Sequence, residues 1–211
     1  MTNVLIVDDE RIVRKAYQSD IETAPDRYRV IATVASSEDA KIVCAARKVD
    51  LILMDINTAG AVNGIEAAAE IKKRYPRIRI IITTSYLDLR AFDMARKAGA
   101  DSFWLKDLSQ MELIEIMDRT MAGESIYPEK MPDAVIGNAK LSEFTPKEIQ
   151  VLYLLLEYVS VKKIAEVMVV EESTVKTHLL HMFQKVGCSS KVELAVLAAN
   201  AKLAIPRRSE G

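Results

Sequence analysis

Through residue 122 the sequence alternates short β-branched apolar runs with longer amphipathic stretches, and that rhythm constrains the fold more than any other feature of the chain. The strand candidates are Asn3 to Val7, Tyr28 to Ala35, Leu51 to Met54, Ile78 to Thr83 and Ser102 to Leu105. Several are apolar throughout, as a strand must be when helices cover both faces of its sheet. Helical periodicity fills the intervals: Glu10 to Glu22, Ser37 to Lys48, Gly64 to Tyr75, Asp88 to Ala98 and Ser109 to Ala122. Five strand–helix units of this kind predict an α/β fold, a doubly wound five-stranded parallel sheet.

The rhythm stops there. Residues 123–141 carry Pro128, Pro132 and Gly137 without a clear period and read as a linker. A helix then starts abruptly, because Thr145, Pro146 and Glu148 form a capping box with proline at the first helical position. Three more short helices follow, about Val161 to Val167, Ser173 to Val186 and Ser190 to Leu203, the last opened by a second Ser-x-x-Glu box at Ser190 and Glu193. The chain therefore divides into a domain over 1–122, a linker over 123–141 and a small all-α domain over 142–211.

A length of 211 residues suits two such domains, and a chain half hydrophobic and 28% charged is not a disordered one. No apolar run approaches the roughly 18 residues that span a bilayer, and the opening run to Asp9 ends in acids, unlike a signal peptide. No membrane partner is expected, and the expected location is the cytoplasm. The two cysteines, Cys44 and Cys188, stand far apart with no CxxC, so reduced structural thiols are expected. The net charge is −1 and neither half holds a strong basic excess, so any case for nucleic acid rests on local charge placement.

Chemistry concentrates at the strand ends. Asp8 and Asp9 directly follow the first strand and Asp55 the third, so all three carboxylates converge at the sheet's carboxyl edge, where such folds place their sites. Packed together they repel one another unless a cation neutralises them, and Mg²⁺ suits oxygen ligands of this kind. A carboxylate beside Mg²⁺ can attack a phosphoryl donor to give an aspartyl phosphate. Thr84 ends the fourth strand with a hydroxyl, and Lys106 ends the fifth with a cation able to meet a phosphate.

These residues carry a resemblance. Val4 to Asp9 (VLIVDD), Leu51 to Asp55 (LILMD), Ile80 to Tyr86 (IIITTSY) and Gly99 to Asp107 (GADSFWLKD) closely resemble the flavodoxin-like receiver domain of response regulators. The resemblance implies that Asp55 is the phosphoacceptor and that Asp8 and Asp9 are the acidic pair holding Mg²⁺ with Asp55. It gives Asn57 a backbone carbonyl in the metal shell, sets Thr84 and Lys106 against the phosphoryl group, and makes Thr84 and Phe103 the switch pair. Ala59 stands where the family usually has proline and Gly64 arrives one residue late, so the loop from Asn57 to Asn63 is expected to be longer and more mobile.

A second resemblance covers residues 142–203. Phe144 to Leu152 (FTPKEIQVL), Lys163 to Ala165 (KIA), Ser173 to His178 (STVKTH) and Lys185 to Leu194 (KVGCSSKVEL) resemble the LuxR-type helix-turn-helix domain of the NarL and FixJ subfamily. It implies that the helix from Ser173 to Val186 enters the major groove of double-stranded DNA, with Lys176 and Thr177 facing the groove, on base edges or phosphates, and His181 and Lys185 reaching phosphates. That stretch carries Lys176, His178, His181 and Lys185 and no acid, while Glu171 and Glu172 precede it. Val175, Leu179, Met182 and Val186 recur at helical spacing as core. Leu180 departs from the polar or basic residue frequent at its position, Glu171 from a capping serine, and Tyr158 from a turn glycine. The last helix carries Val192, Ala195, Val196, Ala199 and Leu203 on one apolar stripe, which either packs into the monomer's own core or, as in the family, pairs with its twin.

Together the two resemblances imply a transcription regulator that a cognate histidine kinase phosphorylates and that binds DNA as a homodimer, its receiver being a self-modifying substrate and not a turnover enzyme. Two rivals stand beside this. An aspartate-nucleophile phosphatase would need a positioned acid beyond its nucleophile, where Asn57 stands, and a substrate cap. A phosphorylation-independent receiver is suggested by the altered loop after Asp55.

Overall fold

The apolar runs pair as strands and the amphipathic runs cover them. In a computed structural model describing residues 1–85, 91–106, 111–128, 134–201 and 203, these residues form two compact units that meet in sequence between Pro128 and Ala134. The first unit contains β1 (Thr2–Val7), α1 (Arg11–Glu22), β2 (Tyr28–Val34), α2 (Ser37–Ala46), β3 (Leu51–Asp55), α3 (Gly64–Arg74), β4 (Arg79–Thr84), α4 (Ala91–Lys97), β5 (Ser102–Leu105) and α5 (Leu113–Met121). Its strands are all parallel in the order β2-β1-β3-β4-β5, the doubly wound order in which the chain reverses direction beside β1. The starts expected for α4 at Asp88 and for α5 at Ser109 lie outside the described residues.

Period-two alternation sorts the strand residues between two cores. Val4, Ile6, Leu51, Leu53, Ile81 and Trp104 face α1 and α5, where they meet Tyr17, Ile21, Leu113, Ile116 and Met117. The alternate residues Leu5, Ile52, Met54, Ile80 and Ile82 are equally buried. On that face α2 packs on α3, and α3 on α4. Register then fixes the site. Val7 pairs with Met54, which puts Asp8 level with Asp55, and Thr84 pairs with Leu105, so that Lys106 emerges beside them.

The stretch read as a linker has structure at both ends. Residues 124–127 run along β5, the sheet's edge strand: the Phe103 amide donates to the Ile126 carbonyl (2.8 Å), the Ile126 amide to Ser102 Oγ (3.2 Å) and Ser125 Oγ to the Asp101 carbonyl (2.9 Å). Further on, β6 (Val135–Ile136) and β7 (Ala139–Lys140) form an antiparallel hairpin that opens the second unit, and β6 packs against its last helix.

That unit continues with α6 (Pro146–Tyr158), α7 (Val161–Met168), α8 (Glu172–Val186) and α9 (Lys191–Asn200). Caps delimit the helices: Thr145, Ser160 and Ser190 each accept an amide hydrogen bond, while Glu171, at the start of α8, makes no side-chain cap bond. α6 touches all three of the others. The turn after α6 is left-handed at Val159 (φ 53°), the residue after Tyr158, and the α7–α8 turn is left-handed at Val169 (φ 55°). Both cysteines are free, and burial pushes the Cys44 thiol up to about 11. No helix among the described residues is long and apolar enough to cross a membrane.

Candidate functional site

Two carboxylates meet on one cation at the sheet's carboxyl edge. Lys106 Nζ lies 2.6 Å from Asp8 Oδ2 and 2.7 Å from Asp55 Oδ1. Each carboxylate is oriented by its other oxygen: Asp8 Oδ1 accepts the Glu10 amide (2.8 Å) and Asp55 Oδ2 accepts the Asn57 amide (2.7 Å). The Lys106 amide donates to the Thr84 carbonyl (2.9 Å), tying the ends of β4 and β5 together. Arg14 Nη1 reaches back from α1 to the carbonyls of Asp8 (2.5 Å) and Asp9 (3.1 Å), holding the acidic turn in place. Asp9 is half-buried beside Asp8, and Thr84 is buried.

Burial pushes the Asp55 carboxyl up to about 7; Lys106 opposes this and Asp8 adds to it. For Lys106, burial favours the neutral amine, but Asp55, Tyr17 and Asp8 outweigh it and hold the ammonium above its ordinary range. The pocket therefore holds more acid than one ammonium balances comfortably. Among the described residues no three His, Cys, Asp or Glu side chains close into a ready cage. Two carboxylates that converge on one cation position nevertheless fit Mg²⁺, which takes one or two carboxylates and fills its octahedron with carbonyl, water and phosphate oxygens.

Glycine at 64 is dictated by this site. A Cβ there would collide with the Asp55 carbonyl oxygen, and the Gly64 amide donates to the Ile56 carbonyl (2.9 Å). α3 therefore begins directly against the backbone of Asp55. Within the loop from Asn57 to Asn63, the Ala59 amide donates to the Ala35 carbonyl (3.0 Å), while Ser37 Oγ (2.7 Å) and Thr58 Oγ1 (3.0 Å) both donate to the Val62 carbonyl.

Thr84 and Phe103 share one face of the sheet, since Thr84 pairs with Leu105 and Ile82 with Phe103. The Phe103 ring is buried edge-on against Phe92 of α4 (centroids 4.4 Å) and lies 6.1 Å from Tyr127 of the segment along β5. Tyr17, one residue of the amphipathic run from Glu10 to Glu22 in the sequence, is brought to the site by the fold. It stands on the other face, its ring 5.9 Å from Trp104 and 5.7 Å from Lys106 Nζ. Nothing in the periodicity of α1 separates it from an ordinary core position.

In the second unit α7 and α8 form the helix-turn-helix. Val175, Leu179, Met182 and Val186 are buried, and Lys176, Thr177 and His181 are exposed. Lys176 Nζ lies 3.8 Å from Glu172, and Thr177 Oγ1 donates to the Ser173 carbonyl (3.0 Å). Lys185 is placed differently from these: its Nζ meets the buried Glu148 Oε2 at 2.7 Å and the Glu143 carbonyl at 2.9 Å. Glu148 also accepts the Thr145 amide (2.7 Å), so one carboxylate caps α6 and clamps it to α8. Burial alone would raise the Glu148 carboxyl, but Lys185 and Thr145 hold it below its usual value. In α9 the buried residues are Leu194 and Ala198; Val192, Val196 and Ala199 face outward, whereas Leu203 is buried.

A doubly wound sheet with an acidic pair, a strand-end aspartate and a strand-end lysine at its carboxyl edge, followed by a helix-turn-helix, defines the class of receiver proteins that carry a DNA-binding output unit. Residues 4–118 match the response regulator receiver domain, and residues 142–198 match the bacterial regulatory proteins of the luxR family. The response regulator protein VraR of Staphylococcus epidermidis is 32% identical over 200 residues, covering 92% of this chain and 95% of that protein, and VraR of Staphylococcus aureus is similar to the same extent. A LuxR-family response regulator from Aurantimonas is 30% identical over 63% of this chain and 92% of its own, with a TM-score of 0.56. RcsB of Salmonella typhimurium shares the fold at 20% identity, with a TM-score of 0.57 over 94% of this chain and 98% of its own. The chain belongs to the LuxR family of response regulators, receivers joined to a DNA-binding domain that regulate transcription. That membership does not favour a phosphatase or a phosphorylation-independent module.

Proposed function

We propose that Asp55 accepts a phosphoryl group from a histidine kinase in a Mg²⁺-dependent step, and that the phosphorylated chain binds double-stranded DNA as a homodimer through α8. The observation that carries this reading is the convergence of Asp8 and Asp55 on Lys106. Asp55 Oδ1 attacks phosphorus, the P–N bond to the kinase histidine breaks, and the imidazole leaves after taking up a proton. Bound Mg²⁺ would be held by Asp8, Asp9, Asp55 and the Asn57 carbonyl, and supplies positive charge against an anionic donor among carboxylates. Lys106 then turns from the Asp55 carboxylate to the new phosphoryl oxygens, and Thr84 follows with its hydroxyl. The receiver is consumed and restored in each cycle, so it serves as substrate and not as a turnover enzyme.

On the output side Lys176 and Thr177 face bases, and His181 lies beside them for a phosphate. Lys185 was also expected at phosphate; in the free domain it is committed to Glu148, so such a contact would be made at the clamp's expense. The outward Val192 and Val196 support pairing of α9 with its twin, and RcsB has been solved as dimers bound to DNA. A cytoplasmic location fits a partner that is chromosomal DNA. The test is phosphorylation of the full chain by a small acyl phosphate, read by intact mass. The parent should gain one phosphoryl group, and both chelation of Mg²⁺ and Asp55→Asn should abolish it. An Asp55→Asn chain that labels as strongly as the parent overturns the assignment.

A further inference from the structure

The outward face of α8 has an apolar centre. Ser173, Lys176, Thr177, Leu180 and Gln184 follow one another at helical spacing, all exposed, on the side opposite the buried Val175, Leu179, Met182 and Val186. Four of the five can donate or accept hydrogen bonds. The fifth, Leu180, is 58% exposed in the middle of the row, one helical turn beyond Lys176 and Thr177. The only cation on the row is partly engaged, since Lys176 lies 3.8 Å from Glu172.

An isobutyl group presented to a major groove cannot satisfy any base-edge donor or acceptor and desolvates those it covers. One feature of the groove rewards it: the C5 methyl group of thymine, the apolar mark among the four base-pair patterns. We propose that Leu180 reads a thymine methyl in each half-site, making it a specificity-determining residue. This rests on the reading of α8 as the helix that enters DNA. The polar neighbours fix the occupant as a nucleic-acid groove and not an apolar protein surface, because Ser173, Lys176, Thr177 and Gln184 flank Leu180 with hydrogen-bonding groups suited to base edges and phosphates. A basic residue at 180 would read guanine through O6 and N7; leucine moves the preference to a base recognised by shape and methyl contact.

The experiment uses the full chain treated with a small acyl phosphate and Mg²⁺. Its preferred duplex is selected from a random pool, and each selected thymine is then replaced in turn by deoxyuridine, which removes the methyl and leaves every hydrogen bond intact. At one position per half-site the replacement should weaken binding about fourfold, the worth of one buried methylene, and about fifteenfold with both half-sites changed. Leu180→Ser, checked for an unchanged melting transition, should bind the thymine and deoxyuridine duplexes alike, and Leu180→Lys should select guanine at that position. If the parent selects a sequence yet tolerates deoxyuridine everywhere, or if Leu180→Ser keeps the parent's discrimination, Leu180 does not read a methyl. If no sequence is selected at all, the DNA-binding reading of α8 falls first and this inference with it.

Discussion

Tyr17 buries a hydroxyl that makes no hydrogen bond of good geometry, and the nearby Thr83 hydroxyl is equally unpaired. An unsatisfied buried hydroxyl costs about 1–3 kcal/mol. Tyr17→Phe keeps the ring against Trp104 and Lys106 while deleting that cost, so the receiver's melting temperature should hold or rise. A fall of several degrees would reveal a hydrogen bond that the geometry does not show. Asp8, Asp55 and Lys106 were readable from sequence because a strand end is a position that alternation alone defines. Tyr17 was not, because what sets it beneath Lys106 is the rotation of α1 over the sheet. Lys185 shows the same limit: its carboxylate partner lies 37 residues away on another helix, a pairing that no local period encodes.

The helices of the output unit are delimited by short-range rules, which is why the capping box at Thr145 and the N-cap at Ser190 located the starts of α6 and α9 so closely. Its turns break those rules. Val159 and Val169 are β-branched residues in the left-handed region, each costing about 1–2 kcal/mol that tertiary contacts must offset; Lys191 Nζ donates to the Val159 carbonyl (2.9 Å) and helps to hold the first. The Glu148–Lys185 clamp is one such offset, and it titrates. Because the folded-state Glu148 carboxyl ionises below its usual value, the stability it contributes is complete at neutral pH and disappears as pH falls through that lowered value. Glu148→Gln should cost about 2 kcal/mol at pH 7, the worth of a hydrogen bond to a charged group. The gap between parent and variant, measured by thermal unfolding, should close as the solution is acidified; a gap constant from pH 7 to acid would assign the loss to packing alone.

For the molecule as a whole, the number and parallel sense of the five strands followed from the spacing of apolar runs, since strands covered on both faces leave a signature that survives without any knowledge of tertiary contacts; their lateral order did not, because it is set by the crossover connections. Nor did the boundary between the units. Residues 124–127 join the receiver through one backbone and two serine-hydroxyl hydrogen bonds along an edge strand, and the two-residue strands of the hairpin are too short to show a period. That docked segment begins the path to the output unit at Phe103, whose amide and ring both touch it. If phosphoryl contacts with Thr84 and Lys106 bias this region, Thr84→Ala and Lys106→Ala should uncouple phosphorylation from DNA affinity. The coupling lost is about 1–3 kcal/mol, or roughly 5- to 150-fold. The measurement is operator affinity with and without acyl phosphate, and a ratio that stays at the parental value in both variants would sink the switch.

Trp104 is the chain's single tryptophan. It sits two residues before Lys106, edged by Tyr17, with its indole N–H donated to the Met111 carbonyl (2.9 Å). The protein thus carries its own optical probe at the chemical centre. Intrinsic emission excited at the red edge of the indole band, beyond the absorption of Tyr153 and Tyr158 in the output unit, reports on the receiver alone. Titration with Mg²⁺ and then with acyl phosphate should change that emission in two separable steps; Asp55→Asn should shift the first to higher Mg²⁺, because one anionic ligand is lost, and abolish the second, giving metal occupancy and phosphorylation of the pocket in real time without a label.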